Sequence, residues 1–128
     1  MEDKASVSLL RLLTLLLKNE EEIVEAHKLG LIDKDDTKHP DEAVVRKKAA
    51  KIFHMYLLNV MHVKDEDDIS PASIMKDLYD CRVCVNHIAQ VYLKGIMKAH
   101  EYPGGLILFE PDVEITEAEV MDALENLN

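Results

Sequence analysis

Two stretches of this chain repeat the same order of landmarks, and that spacing limits the fold to one built from similar units. The first runs Ile23-Val24-Glu25-Ala26-His27-Lys28-Leu29-Gly30-Leu31-Ile32, then a loop, then Pro40-Asp41-Glu42-Ala43-Val44-Val45-Arg46-Lys47-Lys48. The second runs Ile88-Ala89-Gln90-Val91-Tyr92-Leu93-Lys94-Gly95-Ile96-Met97, then a loop, then Pro111-Asp112-Val113-Glu114-Ile115-Thr116-Glu117-Ala118-Glu119. Gly30 and Gly95 lie 65 residues apart and Pro40 and Pro111 lie 71 apart, so the second loop is six residues longer (71 − 65). Each unit reads helix, Gly-apolar-apolar, loop, Pro-Asp, helix.

Apolar spacing of three and four, bounded by caps, predicts five or six helices joined by polar turns, with almost no two-residue alternation. A first helix from about Ser6 to Lys18 is apolar over most of its circumference and is expected at the centre of the core. Asn19 with Glu22 reads as a capping box for a second helix, which Gly30 closes. Pro40-Asp41-Glu42 is expected to open a long helix to about Met61, striped by Val45, Ala49, Ile52, Phe53, Tyr56, Leu57 and Val60. An acidic linker over residues 64–69 leads to a short helix from Ser70-Pro71 to about Tyr79, and another helix follows from about Asp80 to Lys94. A loop spans Lys98 to Ile115, and Thr116-Glu117-Ala118-Glu119 caps the last helix. The expected fold is all-α, a helical bundle of two pseudo-repeated helix-loop-helix units at about 20–60 and 74–127, in one domain covering all 128 residues.

Lys94-Gly95-Ile96-Met97 followed by Phe109-Glu110-Pro111-Asp112-Val113-Glu114-Ile115-Thr116-Glu117-Ala118-Glu119 resembles the S-layer homology domain. Its repeat carries an "xGI" helix end, a Gly-rich loop, "F-x-P-D-x-x-I-T-R-A-E" and a second helix. The resemblance implies a noncatalytic module that anchors proteins to anionic, often pyruvylated, cell-wall polysaccharide, with the arginine of T-R-A-E touching the acidic polymer. The first unit has that arginine as Arg46, whereas the second has Glu117 there, whose carboxylate would repel an anion. The ligand-binding residues expected are therefore Arg46, Lys47, Lys48 and the helix-ending Gly30. Arg46, Lys47, Lys48 and Lys51 also sit near a helix start, where free amides favour an anion. A full module of this family uses three repeats, so two units leave an open flank that a second copy would cover, and a homodimer is expected.

Charge narrows the partners further. Residues 1–64 hold 11 basic and 11 acidic side chains, and residues 65–128 hold 4 and 14, so the net −10 lies wholly in the second half. That balance disfavours nucleic acid, whose affinity comes from lysine and arginine against phosphate. The apolar run Leu9 to Leu17 is far short of the roughly 20 residues that cross a bilayer. With no basic leader or cleavage site the chain is expected in the cytoplasm, or at the cell surface if it is a piece of an exported precursor. The rival reading is a cytoplasmic helical module without the glycan site, offering the Leu9–Leu17 helix or the acidic half to a protein partner.

Other chemistry is read as scaffold. Cys81, Cys84, Val85, Ile88, Val91 and Tyr92 form one apolar stripe, so the two cysteines are expected as buried hydrophobes rather than a zinc or redox pair, although His87 and His100 are conceivable further ligands. Asp33-Lys34-Asp35-Asp36-Thr37 starts like a calcium loop, but Lys38 and Val44 stand where glycine and glutamate are required. The six histidines show no H-E-x-x-H spacing. No catalytic residue, metal or cofactor is expected.

Overall fold

The computed structural model of this chain describes residues 6–18 and 22–127. Its α-helices are α1 (Leu9–Leu17), α2 (Glu22–Lys28), α3 (Arg46–Asn59), α4 (Val85–Leu93) and α5 (Glu117–Leu127). The expected capping box at Asn19 lies outside the described residues. Two short strands, β1 (His100–Tyr102) and β2 (Leu106–Leu108), pair antiparallel with His100 opposite Leu108 and Tyr102 opposite Leu106. The fold is therefore mixed, not all-α. Gly104 and Gly105, at φ 85° and 80°, allow the reversal after Pro103 that folds Leu106–Leu108 back on His100–Tyr102. Sequence periodicity had assigned this whole segment to loop because each strand is only three residues long.

The repeat is visible in the hydrogen bonds. At the end of α2, Leu31 N–H donates to the Ala26 carbonyl at 2.9 Å; at the end of α4, Ile96 N–H donates to the Val91 carbonyl at 2.8 Å. Gly30 and Gly95 supply the left-handed turns, at φ 78° and 75°, that make these closures possible.

Pro40 does not open a helix as the sequence suggested, because α3 begins only at Arg46. The preceding arm turns at Pro40–Asp41, runs extended from Ala43 to Val45 and caps its neighbour instead. The Glu42 and Pro40 carbonyls accept from the first two amides of α1, Leu9 and Leu10, each at 2.9 Å. The second arm does the same for α3: Val113 and Pro111 carbonyls accept from Arg46 and Lys47 at 2.8 and 2.9 Å. These bonds satisfy donors that a helix start leaves unpaired, which explains why Val45 needs no capping side chain.

The arms close on one another. Ser8 bridges Ala43, Val45 bridges Glu114 and Ser6 bridges Thr116, so the three segments entering α1, α3 and α5 pair in a ring. The stretch before α1 thus takes the third place in an arrangement that the sequence presented as two units.

The core is mostly aliphatic. Leu9, Leu12, Leu13 and Leu16 bury one face of α1, Ala49, Ala50, Ile52 and Phe53 line α3, and Ile88, Ala89 and Val91 line α4. The expected helix from Ser70 to Tyr79 is two 3-10 turns, Ser70–Ile74 and Leu78–Asp80, and a third, Arg82–Cys84, delays α4 to Val85. The acidic linker is fastened to α4: Gln90 donates to the Glu66 carbonyl at 3.1 Å and accepts from the Glu66 amide at 2.8 Å, and Lys94 donates to the Lys64 carbonyl at 2.6 Å.

Candidate functional site

The four expected ligand residues do not converge. Arg46, the first residue of α3, is 1% exposed. Its Nε donates to the Phe109 carbonyl at 2.7 Å, one terminal nitrogen donates to the Lys98 carbonyl at 2.6 Å, the other pairs with Glu119, and the guanidinium stacks on the Phe109 ring at 4.6 Å. Burial lowers its pKa while Glu119 opposes that shift, so the charge is held inside the protein by its neighbours. Asp77 keeps the Phe109 carbonyl in place by accepting from the Phe109 and Glu110 amides, both at 2.8 Å. The arginine is a clamp between α3, α5 and the hairpin. Gly30 is the exposed end of α2 and lines no cavity with Arg46.

Lys47 and Lys48 face elsewhere, together with Lys51. These three line a cavity of about 300 Å³ with Asp33, Asp36 and His87, floored by Leu31, Val45 and Cys84. Lys48 pairs with Asp36 at 2.5 Å and Lys51 with Asp33 at 2.8 Å, while Lys47 reaches Asp112 at 2.8 Å. Asp36 titrates low: burial opposes ionisation, but the hydrogen bond from Lys48 and the charges of Lys48 and Lys51 outweigh it. Asp33 and Asp112 are 69% and 81% exposed in their side chains, so their ion pairs are weak and yield readily to another anion.

The corresponding place at α5 has the opposite sign. Counted from the helix start, Lys48 and Lys51 of α3 match Glu119 and Asp122 of α5. Glu119 and Asp122 line a second cavity of about 250 Å³ with Arg46 and the Ile96–His100 segment. The α3 cavity is lined by three lysines, Lys47, Lys48 and Lys51, and the α5 cavity by one, Lys98. The charge split between the chain's halves is thereby written into two related cavities.

A polar chain behind the lysine cavity was not legible in the sequence. His54 Nε2 lies 2.7 Å from Asp65 Oδ1, and His54 Nδ1 lies 2.8 Å from His87 Nδ1. Asn86 donates to the other Asp65 oxygen at 3.0 Å. Asp65 titrates low: burial opposes ionisation, and the hydrogen bonds from His54 and Asn86 outweigh it. His87 is pushed down to about 4, first by burial and then by His54 and Lys51.

Cys81 and Cys84 are joined in a disulfide, with Cα atoms 5.2 Å apart. The expectation of two reduced hydrophobic cysteines is corrected accordingly. The two residues between them turn in a 3-10 helix that brings the sulfurs together where an α-helix had been anticipated. Among the described residues no group of three or more His, Cys, Asp or Glu is placed to hold a metal ion, and no helix is long and apolar enough to cross a membrane.

The geometry defines a class before any particular relative: a helical module in which two Pro-Asp arms cap the starts of α1 and α3 and pair with each other and with the segment before α1. No family model matches the chain, and no curated protein does. Among solved structures it is similar to the undecaheme cytochrome from the S-layer of Carboxydothermus ferrireducens, at a TM-score of 0.54 and 12% identity over 94% of this chain. The chain spans 20% of that protein's length, and the likeness is one of fold.

Proposed function

We propose that the chain is a noncatalytic, S-layer-homology-like binding module whose ligand is an anionic cell-wall polysaccharide. The observation that carries this reading is the convergence of Lys47, Lys48 and Lys51 on one cavity. A sugar carboxylate or pyruvyl group entering it takes Lys47 and Lys51 from their exposed aspartates, while the Lys48–Asp36 pair keeps the wall in place. The S-layer origin of the structural neighbour agrees with a place at the cell surface. So does the disulfide, since such bonds persist in oxidising compartments.

The test is cosedimentation with cell-wall sacculi carrying or stripped of their secondary polysaccharide. Wild type binds only polymer-bearing sacculi, and Lys47→Glu with Lys51→Glu abolishes binding while the exposed control Lys76→Glu retains it. A folded wild-type protein that stays in the supernatant ends this reading. One observation favours a second: Arg46, the residue the family resemblance assigns to the polymer, is fully engaged by Phe109, Lys98 and Glu119. A helical module that has lost the glycan site and binds a protein partner accounts for that.

A further inference from the structure

The Cys81–Cys84 bridge closes a loop of only two intervening residues, and such a bridge restricts the unfolded chain much less than one spanning a long loop. Structural reinforcement is therefore a small part of what it does. Its surroundings are those of a reactive bond. Cys81 is half-buried beside the exposed Arg82 and Val83, the latter 87% exposed, so the bridge lies at the protein surface. Cys84 is 8% exposed and stands at the start of the nine-residue α4, where the helix dipole favours a thiolate. It also shares the lysine cavity with His87 and Lys51.

The hydrogen bonds behind Cys84 form a directed path for a proton. The Asp65 carboxylate can only accept, so His54 Nε2 carries hydrogen toward it. When His54 Nδ1 accepts from His87 Nδ1–H, the lone pair of His87 lies on Nε2, which makes no hydrogen bond among the described residues. We infer that Cys81 and Cys84 are a reversible dithiol–disulfide couple that exchanges with external thiols, and that His87 is the base that ionises Cys84.

In reduction, an external thiolate attacks Cys81 Sγ, the Cys81–Cys84 bond breaks, and its electron pair leaves on Cys84 Sγ. A second thiolate attacks the external sulfur of the mixed disulfide and releases Cys81. Two external thiols become one disulfide, and both cysteines end as thiols. In reoxidation by an external disulfide, the Cys81 thiolate attacks one of its sulfurs, the external S–S bond breaks, one external thiolate leaves, and Cys81 is left in the mixed disulfide. Cys84 then gives its proton to His87 Nε2 as His87 Nδ1–H passes to His54 Nδ1, and the Cys84 thiolate attacks Cys81 Sγ and expels the external thiolate. The positive charge comes to rest on His54 against Asp65. That placement suits the reluctance of His87 itself to hold a proton, with its pKa near 4.

The experiment incubates the folded protein with millimolar dithiothreitol, then with oxidised glutathione, and counts free thiols by maleimide mass-tagging while circular dichroism follows the fold. The inference expects both cysteines to reduce without unfolding, to reoxidise on addition of oxidised glutathione, and to reoxidise at least tenfold more slowly in His87→Gln with an unchanged redox midpoint. A bridge that dithiothreitol reduces only after urea unfolds the chain overturns the couple. Equal reoxidation rates in wild type and a folded His87→Gln overturn the role of His87.

Discussion

Arg46 and Glu117 hold the same place, the first residue of α3 and of α5, and each finds an opposite charge two residues past the start of the next helix around the ring. Arg46 pairs with Glu119, while Glu117 pairs with Arg11 of α1 at 3.2 Å. The glutamate that seemed to spoil a second anion site is thus one half of the same contact with its charges exchanged.

Burial separates the two pairs in energy. Arg11 and Glu117 are 51% and 44% exposed, whereas the Arg46 side chain is 1% exposed. Arg46→Ala removes one donor from Glu119 and leaves the Phe109 and Lys98 carbonyls without theirs, and is expected to destabilise the fold by about 3–5 kcal/mol. Arg11→Ala is expected to change stability by less than about 1 kcal/mol. Urea unfolding of both variants measures the difference, and equal midpoints would refute it.

Gly30 and Gly95 share a left-handed backbone but not a neighbourhood. A methyl group on Gly30 comes within 3.3 Å of the Asn59 amide, which donates to the Leu29 carbonyl at 2.6 Å; one on Gly95 meets nothing within 4 Å. Gly95→Ala is expected to cost about 1–2 kcal/mol from backbone conformation alone. Gly30→Ala should cost more, unless Asn59 moves aside without losing its bond. Thermal unfolding of the two variants side by side decides the order.

The depressed His87 pKa couples folding to pH. Protons bind the unfolded ring near its ordinary 6.5 but the folded ring only near 4, so this contribution to stability is complete above pH 6.5 and fades as pH falls toward 4. His87→Gln should flatten the urea midpoint across that window. An unchanged pH slope in a folded variant would count against the burial assigned to this ring.

A more acidic limb belongs to Glu119. Burial opposes its ionisation, yet the Thr116 amide, His100 and Arg46 together hold its pKa below the ordinary 4.5. Its stabilisation is present above that value and is lost as pH falls through the lower folded one. Glu119→Gln should lose this limb and leave the His87 window intact, as read by urea titrations from pH 7 to 3.

The repeat, the glycine turns and the Thr116 cap were legible because local bonding sets them: Thr116 and Glu119 exchange hydrogen bonds at 3.0 and 3.2 Å across three residues. The arms were misread because Pro40 looks the same before a helix it starts as before a neighbour's helix it caps. The two strands and the ring of bridges depend on partners distant in sequence, which periodicity does not record. Lys47 and Lys48 stand out in the sequence as basic residues at a helix start, a local signal, but their separation from Arg46 is a matter of which side of α3 each side chain leaves. His54, His87 and Asp65 come from α3, α4 and the acidic linker, and only packing unites them.

The bridge between Ser6 and Thr116 joins segments 110 residues apart (116 − 6), while the other two bridges span shorter intervals. During synthesis the segment before α1 can meet the Pro40–Val45 arm early, through Ser8 and Ala43, but the circuit stays open until the stretch around Thr116 has been made. Assembly of the centre is therefore a late event in the life of each new chain. A nascent chain stalled before that point would hold α1 against one neighbouring arm and leave its other side bare.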